Sequence, residues 1–98
     1  MNINKTQEDK KVTLAVEGRL DTTTAPDLEA AIEACIEGLE ELDFDFAELE
    51  YISSAGLRVI LGAQKKMNKQ GKMVIRNAND VIMEVFEITG FVDILTIE

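Results

Sequence analysis

Two adjacent serines, Ser53 and Ser54, are the residues of this 98-residue chain whose type and position best suit chemistry. A short apolar strand precedes them, and the spacing that follows predicts an amphipathic helix that begins at the pair. The first N–H groups of a helix have no partners within the helix, and the helix dipole favours negative charge there. A phosphate on either hydroxyl would therefore be stabilised by the backbone. Serine is also among the preferred N-cap residues, so one hydroxyl could serve only to begin the helix.

Residues for other kinds of chemistry are scarce. The chain has no histidine and one cysteine, Cys35, so neither a soft metal site nor a catalytic triad can be assembled. The apolar neighbours of Cys35 predict a small buried side chain in a reducing compartment. We expect no cofactor and no enzymatic activity, and a hydrolase that uses Asp21 and Asp45 ranks last among the alternatives.

The charge of the chain excludes some partners. A net charge of −9 argues against binding to nucleic acid or to an anionic membrane, because both require a basic surface. Residues 51–79 nevertheless contain six bases and no acid, which indicates either a solvated helix face or a docking surface. No apolar run is long enough to span a membrane and the first residues lack a signal sequence, so we expect a cytoplasmic protein.

The first half of the chain predicts a hairpin followed by a helix. Residues 3–8 and 12–18 alternate as two strands, with the turn at Asp9 and Lys10. Thr24 is placed as a helix N-cap, with Pro26 in the first turn and Asp27 completing a capping box. An apolar stripe continues from Leu28 to Leu39, and Gly38 is expected to end this helix.

The second half alternates strands and helices. The predicted elements are a strand at 42–46, a helix from the serine pair to Gly71, a strand at 73–76, a helix from Asn79 or Asp80 to Gly90, and a last strand at 94–97. The second helix should bury Gly56, Val59, Ile60, Ala63 and Met67.

This order predicts an α/β fold, with a mixed and mostly parallel sheet of four to five strands, about three helices and an antiparallel N-terminal hairpin. Three helices leave part of one sheet face exposed. Loops that follow parallel strands gather at one edge of the sheet, where sites form. Residues 21–24 and 53–56 should therefore be neighbours.

Three segments carry a resemblance to a known family. The residues Gly-Arg-Leu-Asp at 18–21, Thr24-Ala25, and Tyr-Ile-Ser-Ser-Ala-Gly-Leu-Arg-Val-Ile-Leu at 51–61 resemble those of bacterial anti-sigma factor antagonists, which are free-standing STAS domains. The resemblance spans nearly the whole chain and implies a single STAS domain over residues 1–98.

The resemblance implies a phosphorylation-switched protein-binding module. Such an antagonist sequesters an anti-sigma factor that is also a serine kinase, and so releases a sigma factor. Phosphorylation by that kinase ends the binding, and a metal-dependent serine phosphatase resets the protein. The oligomeric state stays open.

The resemblance places the phosphorylated serine at Ser54, with Ser53 as second choice, since Ser53 and Ala55 depart from the residues usual at those positions. Asp21 matches an acidic residue near the kinase contact, although Asp also forms turns of this kind. The predicted partner-binding residues are Asp21, Thr22, Thr23, Thr24, Ser53, Ala55, Gly56 and Arg58.

A second function remains open at this point. STAS-like domains also serve as ligand-sensing or accessory subunits of transport and signalling complexes. The absence of a glycine-rich phosphate loop disfavours nucleotide as the ligand.

Overall fold

Three helices cover one face of a five-stranded sheet in the computed structural model, which describes residues 1–98. The helices and strands are β1 (Asn2–Glu8), β2 (Lys11–Leu20), α1 (Ala25–Glu33), β3 (Glu41–Asp45), β4 (Leu49–Ile52), α2 (Ser54–Met67), β5 (Lys72–Arg76) and α3 (Asp80–Thr89). A 3-10 turn at Phe91–Asp93 follows α3. None of the helices combines the length and the apolar character needed to cross a membrane.

The strand pairing confirms the predicted fold class. The order is β1-β2-β3-β5; β1 is antiparallel to β2, and β3 is parallel to both of its neighbours. The hairpin turn lies at Asp9 and Lys10, with Asp9 in the left-handed region at a φ of 55°. β4 adds a fifth strand, which pairs in parallel with the last residues of β2.

β2 changes partners along its length, and this change positions the site. Its first half pairs with β3, and the segment from Gly18 to Leu20 pairs with β4. Gly18 has a φ of +96°, which a residue without a side chain adopts readily. The register skips Glu50, and this bulge directs both Leu49 and Ile52 into the core although they are three residues apart.

The core lies between the sheet and the helices. Alternate strand residues such as Val12, Leu14 and Phe44 are fully buried against the apolar faces of the helices. The second helix buries Gly56, Ile60, Ala63 and Met67 as predicted. Val59 is only half-buried, whereas Leu57 and Gln64 are buried and were not predicted to be.

The opposite face of the sheet carries no helix. Most of its side chains are charged, although Ala15 and Val74 share it, and near its centre Asp43 is only 2% exposed. Lys11 and Arg76 cover Asp43, with nitrogen-to-Oδ2 distances of 3.5 and 3.2 Å. Asp43 raises the pKa of Arg76 through a hydrogen bond and through its charge. Long cationic side chains thus shield this face without an additional layer.

Three predicted boundaries are wrong. α1 ends at Glu33 and not at Gly38, because the chain after Ala34 turns so that Ile36 and Leu39 pack into the core outside a helix. Gln70 secures that turn by donating to the carbonyl oxygens of Ile36 and Leu39, at 2.6 and 2.7 Å.

The other two boundary errors lie near glycines and at the C-terminus. α2 ends at Met67, four residues before Gly71, which instead packs against the main chain of Glu40. The predicted last strand at 94–97 reduces to one bridge between Ile97 and Ile75.

Candidate functional site

The two predicted site loops lie side by side at the carboxyl ends of β2 and β4. Leu20 and Ile52 are paired in the sheet, and the Ser53 amide donates to the Leu20 carbonyl oxygen at 2.9 Å. Residues 21–24 and residues 53–56, which form the N-cap and first turn of α2, therefore leave the sheet from adjacent points and are called here the paired loops. The predicted proximity of the two loops is confirmed.

The two serines differ in their environments. Ser53 has extended backbone angles and caps α2, because its Oγ accepts from the Gly56 amide at 3.4 Å. Ser54 is the first residue of the helix, is exposed, and makes no hydrogen bond through its hydroxyl. The cap thus occupies one hydroxyl and leaves the other free on the surface.

Ala55 and Gly56 determine how closely the first turn of α2 packs against the core. Ala55 is half-buried against the core, and Gly56 is buried. A Cβ added at Gly56 would lie 2.6 Å from Cγ of Leu20 and 3.1 Å from Cγ1 of Ile52. The absence of a side chain therefore lets the first turn of α2 approach the ends of β2 and β4 closely.

The prediction that Thr24 caps α1 through its side chain is wrong. Thr24 occupies the N-cap position, but its φ of −102° and ψ of −21° are helical, and its side chain makes no capping hydrogen bond. Instead, Thr24 Oγ1 accepts from the Asp21 amide and donates to the Arg19 carbonyl oxygen, both at 2.8 Å. The predicted capping box with Asp27 is consequently not formed, while Pro26 lies in the first turn as expected.

Asp21 organises its own loop. Its Oδ1 accepts from the Thr23 amide at 3.0 Å, from the Thr23 hydroxyl at 2.7 Å and from the Thr24 amide at 3.2 Å. These bonds, led by the one from the Thr23 hydroxyl, lower the pKa of Asp21 below its ordinary value because they stabilise the ionised form. Asp21 Oδ2 lies 4.0 Å from Nε of Arg19. Asp21 is therefore a turn-forming residue that also presents a carboxylate oxygen at the edge.

Three of the eight predicted partner-binding residues are exposed, while Gly56 is buried and the other four are half-buried. Thr22 and Thr23 are exposed, and Arg58 is exposed one helical turn after Ser54. Arg58 makes no ion pair.

Two neighbours of the paired loops were not predicted as site residues. Arg19 and Tyr51 are paired across β2 and β4, and the Arg19 guanidinium carbon lies 4.2 Å from the centre of the Tyr51 ring. Both side chains are exposed. The sequence signal was the strand alternation, which points Leu20 and Ile52 inward and these two outward.

An apolar cleft adjoins Ser54. This cleft has a volume of about 290 Å³, and its lining residues are Ser54, Leu57, Arg58, Leu61, Thr89 and Phe91. Ile88, close by in the chain, is 77% exposed.

The two remaining candidate residues, Cys35 and Asp45, lie outside the paired loops. Burial raises the pKa of the Cys35 thiol. Asp45 Oδ1 accepts from the Ala47 amide and from Nδ2 of Asn77, both at 3.0 Å. No group of three or more His, Cys, Asp or Glu side chains is arranged to hold a metal ion.

Known proteins share this architecture. The STAS domain model matches residues 2–98. The anti-sigma-B factor antagonist of Listeria monocytogenes is 35% identical over an alignment of 104 positions, gaps included, which covers 100% of this chain and 90% of that protein. The anti-sigma-B factor antagonist of Staphylococcus aureus is 32% identical over 97 residues, covering 97% of this chain and 90% of that protein.

Solved structures show the same fold at lower identity. An anti-sigma factor antagonist from Mycobacterium paratuberculosis superposes with a TM-score of 0.88 at 23% identity, covering 98% of this chain and 83% of that one. The Bacillus cell fate determinant SpoIIAA in its phosphorylated form superposes with a TM-score of 0.77 at 18% identity, covering 99% and 91%.

Proposed function

The chain belongs to the STAS domain family, and from that premise we propose that it is an anti-sigma factor antagonist. In this proposal it sequesters an anti-sigma factor that is a serine kinase, and thereby releases a sigma factor. Two curated relatives above 30% identity over nearly their full length are named anti-sigma-B factor antagonists. Binding and phosphorylation take place in the cytoplasm, where ATP supplies the phosphate.

The observation that carries the proposal is the exposed, unbonded hydroxyl of Ser54 at the first position of α2. The kinase transfers the γ-phosphoryl group of ATP to this oxygen, releasing ADP and the hydroxyl proton. Ser53 is the poorer acceptor because its Oγ accepts from the Gly56 amide and its side chain is half-buried. A metal-dependent serine phosphatase reverses the modification by hydrolysing the ester to serine and inorganic phosphate.

The partner contacts the surface formed by the paired loops and their neighbours. Thr22 and Thr23 offer polar contacts, and the stacked Arg19 and Tyr51 offer side chains of the types that dominate protein interfaces. The apolar cleft beside Ser54 supplies apolar surface, and a partner that covers this surface removes it from water, which favours binding. Ser54 belongs to the paired loops and also lines the cleft, so a group added to it falls within this interface.

Phosphorylation would end binding by charge and volume. A phosphate brings about −1.5 to −2 charge to a chain whose net charge is already −9. Within an interface that charge must lose water, and it opposes any acidic group of the partner. The start of α2 can hold the phosphate locally, so the fold need not rearrange.

Titration calorimetry with the purified anti-sigma factor from the same organism tests the proposal. Ser54→Ala should bind as tightly as the unmodified protein, and Ser54→Asp should bind about tenfold or more weakly. Equal affinities of the two variants would remove Ser54 from the mechanism, unless enzymatically phosphorylated protein behaves differently from the aspartate variant.

Ser53→Asn is the matched control, since asparagine keeps a capping side chain but offers no hydroxyl to a kinase. Intact mass after incubation with the kinase and ATP should rise by one phosphate in this control and stay constant in Ser54→Ala. The reverse pattern would assign the modification to Ser53.

A further inference from the structure

Arg58 is the one cationic side chain among the residues that line the apolar cleft beside Ser54. It also lines a second cleft, of about 230 Å³ between α1 and α2, where Glu29 and Glu33 face it across the opening. It lies within 4.0 Å of no carboxylate, although five other cationic residues of the chain form ion pairs. Arg58 thus has no ion-pair partner, and its side chain can turn toward either cleft.

The spacing relates Arg58 directly to the proposed modification. Ser54 and Arg58 are residues i and i+4 of α2, which places their Cβ atoms about 5–6 Å apart on one face of the helix. A negative group four residues before a cation is the favourable order for such a pair, because it also suits the helix dipole. A guanidinium matches two phosphate oxygens at once, which a lysine does not.

We propose that Arg58 binds the phosphate on Ser54 within the same helix, so that phosphorylation both adds an anion to the interface and withdraws a cation from it. This inference rests on the proposed phosphorylation of Ser54. In the unmodified protein Arg58 is free to contact an acidic group of the partner. In the phosphorylated protein its guanidinium is held at the start of α2, and that contact is lost.

The surroundings favour this pairing over competing ones. None of the six residues of the apolar cleft is acidic, so a phosphate that turns toward the cleft meets no carboxylate among its lining residues. The one carboxylate of the paired loops, Asp21, is already hydrogen-bonded to the hydroxyl and amide of Thr23 and to the amide of Thr24. The cleft lining is mostly hydrocarbon from Leu57, Leu61 and Phe91, which reduces competition from water for the ion pair. Glu29 and Glu33 can hold Arg58 only on its other side, and Lys66 lines that same cleft and competes for them.

The test uses protein with phosphoserine encoded at position 54, so that it needs no kinase. Phosphorus NMR follows the second pKa of the phosphate, which is about 6 for free phosphoserine. Arg58→Gln should raise this pKa by about 0.2–0.4 units relative to the protein that keeps Arg58. Lys65→Gln is the control, because it removes the same charge from an exposed position of α2 three turns from Ser54.

An equal pKa in the Arg58→Gln and Lys65→Gln proteins would overturn the proposal. Binding to the anti-sigma factor provides a second measurement. Phosphate at Ser54 should reduce affinity by a smaller factor when Arg58 is already Gln, because the cation has been removed beforehand. A kinase that leaves Ser54 unmodified would contradict the proposed function but would not alter the NMR result, so the two failures are distinguishable.

Discussion

The amide of Ser53 donates to the carbonyl oxygen of Leu20 at 2.9 Å, and this bond holds the loop after β4 against the loop after β2. It extends the pairing of β2 with β4 by one residue beyond the sheet. Both loops are thus fixed to the ends of buried strands, and the side chains above them are presented from a rigid base.

The close approach at Gly56 should be sensitive to a single methyl group. Gly56→Ala places a carbon 2.6 Å from Cγ of Leu20, and we expect a net loss of about 1–3 kcal/mol in unfolding free energy. Gly62→Ala is the control in the same helix, since an added Cβ there meets nothing within 4 Å. It should gain about 0.5–1 kcal/mol from helix propensity. Urea denaturation measures both, and a gain in both variants would show that the loop is not tightly packed.

The Thr24 hydroxyl should stabilise the first loop through its two hydrogen bonds. Thr24→Val removes the donor to Arg19 and the acceptor for Asp21, at an expected cost of about 1–3 kcal/mol. Thr24→Ser keeps the hydroxyl and should cost less. Thr22→Val, at an exposed threonine without such bonds, should change stability by less than about 0.5 kcal/mol. Similar losses at positions 22 and 24 would contradict the assigned role.

Asp21 should titrate below the ordinary range of aspartate. Carboxyl-detected NMR should find its pKa lowered, and Thr23→Val should raise that pKa because the hydroxyl of Thr23 is the largest cause of the shift. Thr22→Val should leave it unchanged. A normal pKa in the unmodified protein would mean that the loop does not hold the carboxylate as described.

The same shift predicts a pH dependence of stability. A pKa lowered by folding stabilises the native state above the pKa of the unfolded chain, and this contribution disappears as the pH falls through the lower native value. The difference in stability between the unmodified protein and Asp21→Asn should therefore be largest near neutral pH and smallest in strong acid. A difference that is constant with pH would exclude ionised Asp21 as its source.

Asn79 should stabilise the junction between α3 and β4 in two ways. Its Oδ1 accepts from the Ile82 amide and its Nδ2 donates to the Leu49 carbonyl oxygen, both at 2.9 Å. Asn79→Ala loses both bonds and should cost about 1–2 kcal/mol. Asn79→Asp keeps the cap but loses the donor, so its cost in thermal or chemical denaturation should be intermediate. Equal costs would mean that only the bond to β4 matters.

The sequence predicted the order and type of most elements because their apolar periods are regular. The alternation of Val12, Leu14 and Val16 identified β2, and Asn79 and Gly90 marked the two ends of α3. Glycine at position 90 adopts a φ of +80°, as expected for the end of a helix.

Errors arose where tertiary contacts replace a local period. Ile36 and Leu39 continue the helical spacing of α1, but they reach the core from a turn that Gln70 stabilises, 31 to 34 residues away in the chain. β4 lacks alternation because of the bulge at Glu50. No local pattern records a partner that is distant in sequence.

The candidate site was predicted in outline but not in its details. Two serines at a helix start indicated a hydroxyl site, yet their separate roles depend on which one has the extended backbone angles of a cap. Thr24 looked like a cap because its type and position suit one, but hydrogen bonds to Asp21 and Arg19 direct its side chain back into the loop. Side-chain direction of this kind follows from the folded loop and cannot be derived from residue type alone.

The attachment of both loops to paired strands has a consequence for timing. The hydrogen bond and strand pairing that hold the two loops involve only the main chain, so we expect this surface to keep its shape when a phosphate is added to Ser54. Phosphorylation of Ser54 would then take effect as soon as the covalent bond forms, with no slow conformational change. The lag between stimulus and response would reflect the turnover of the modifying enzymes.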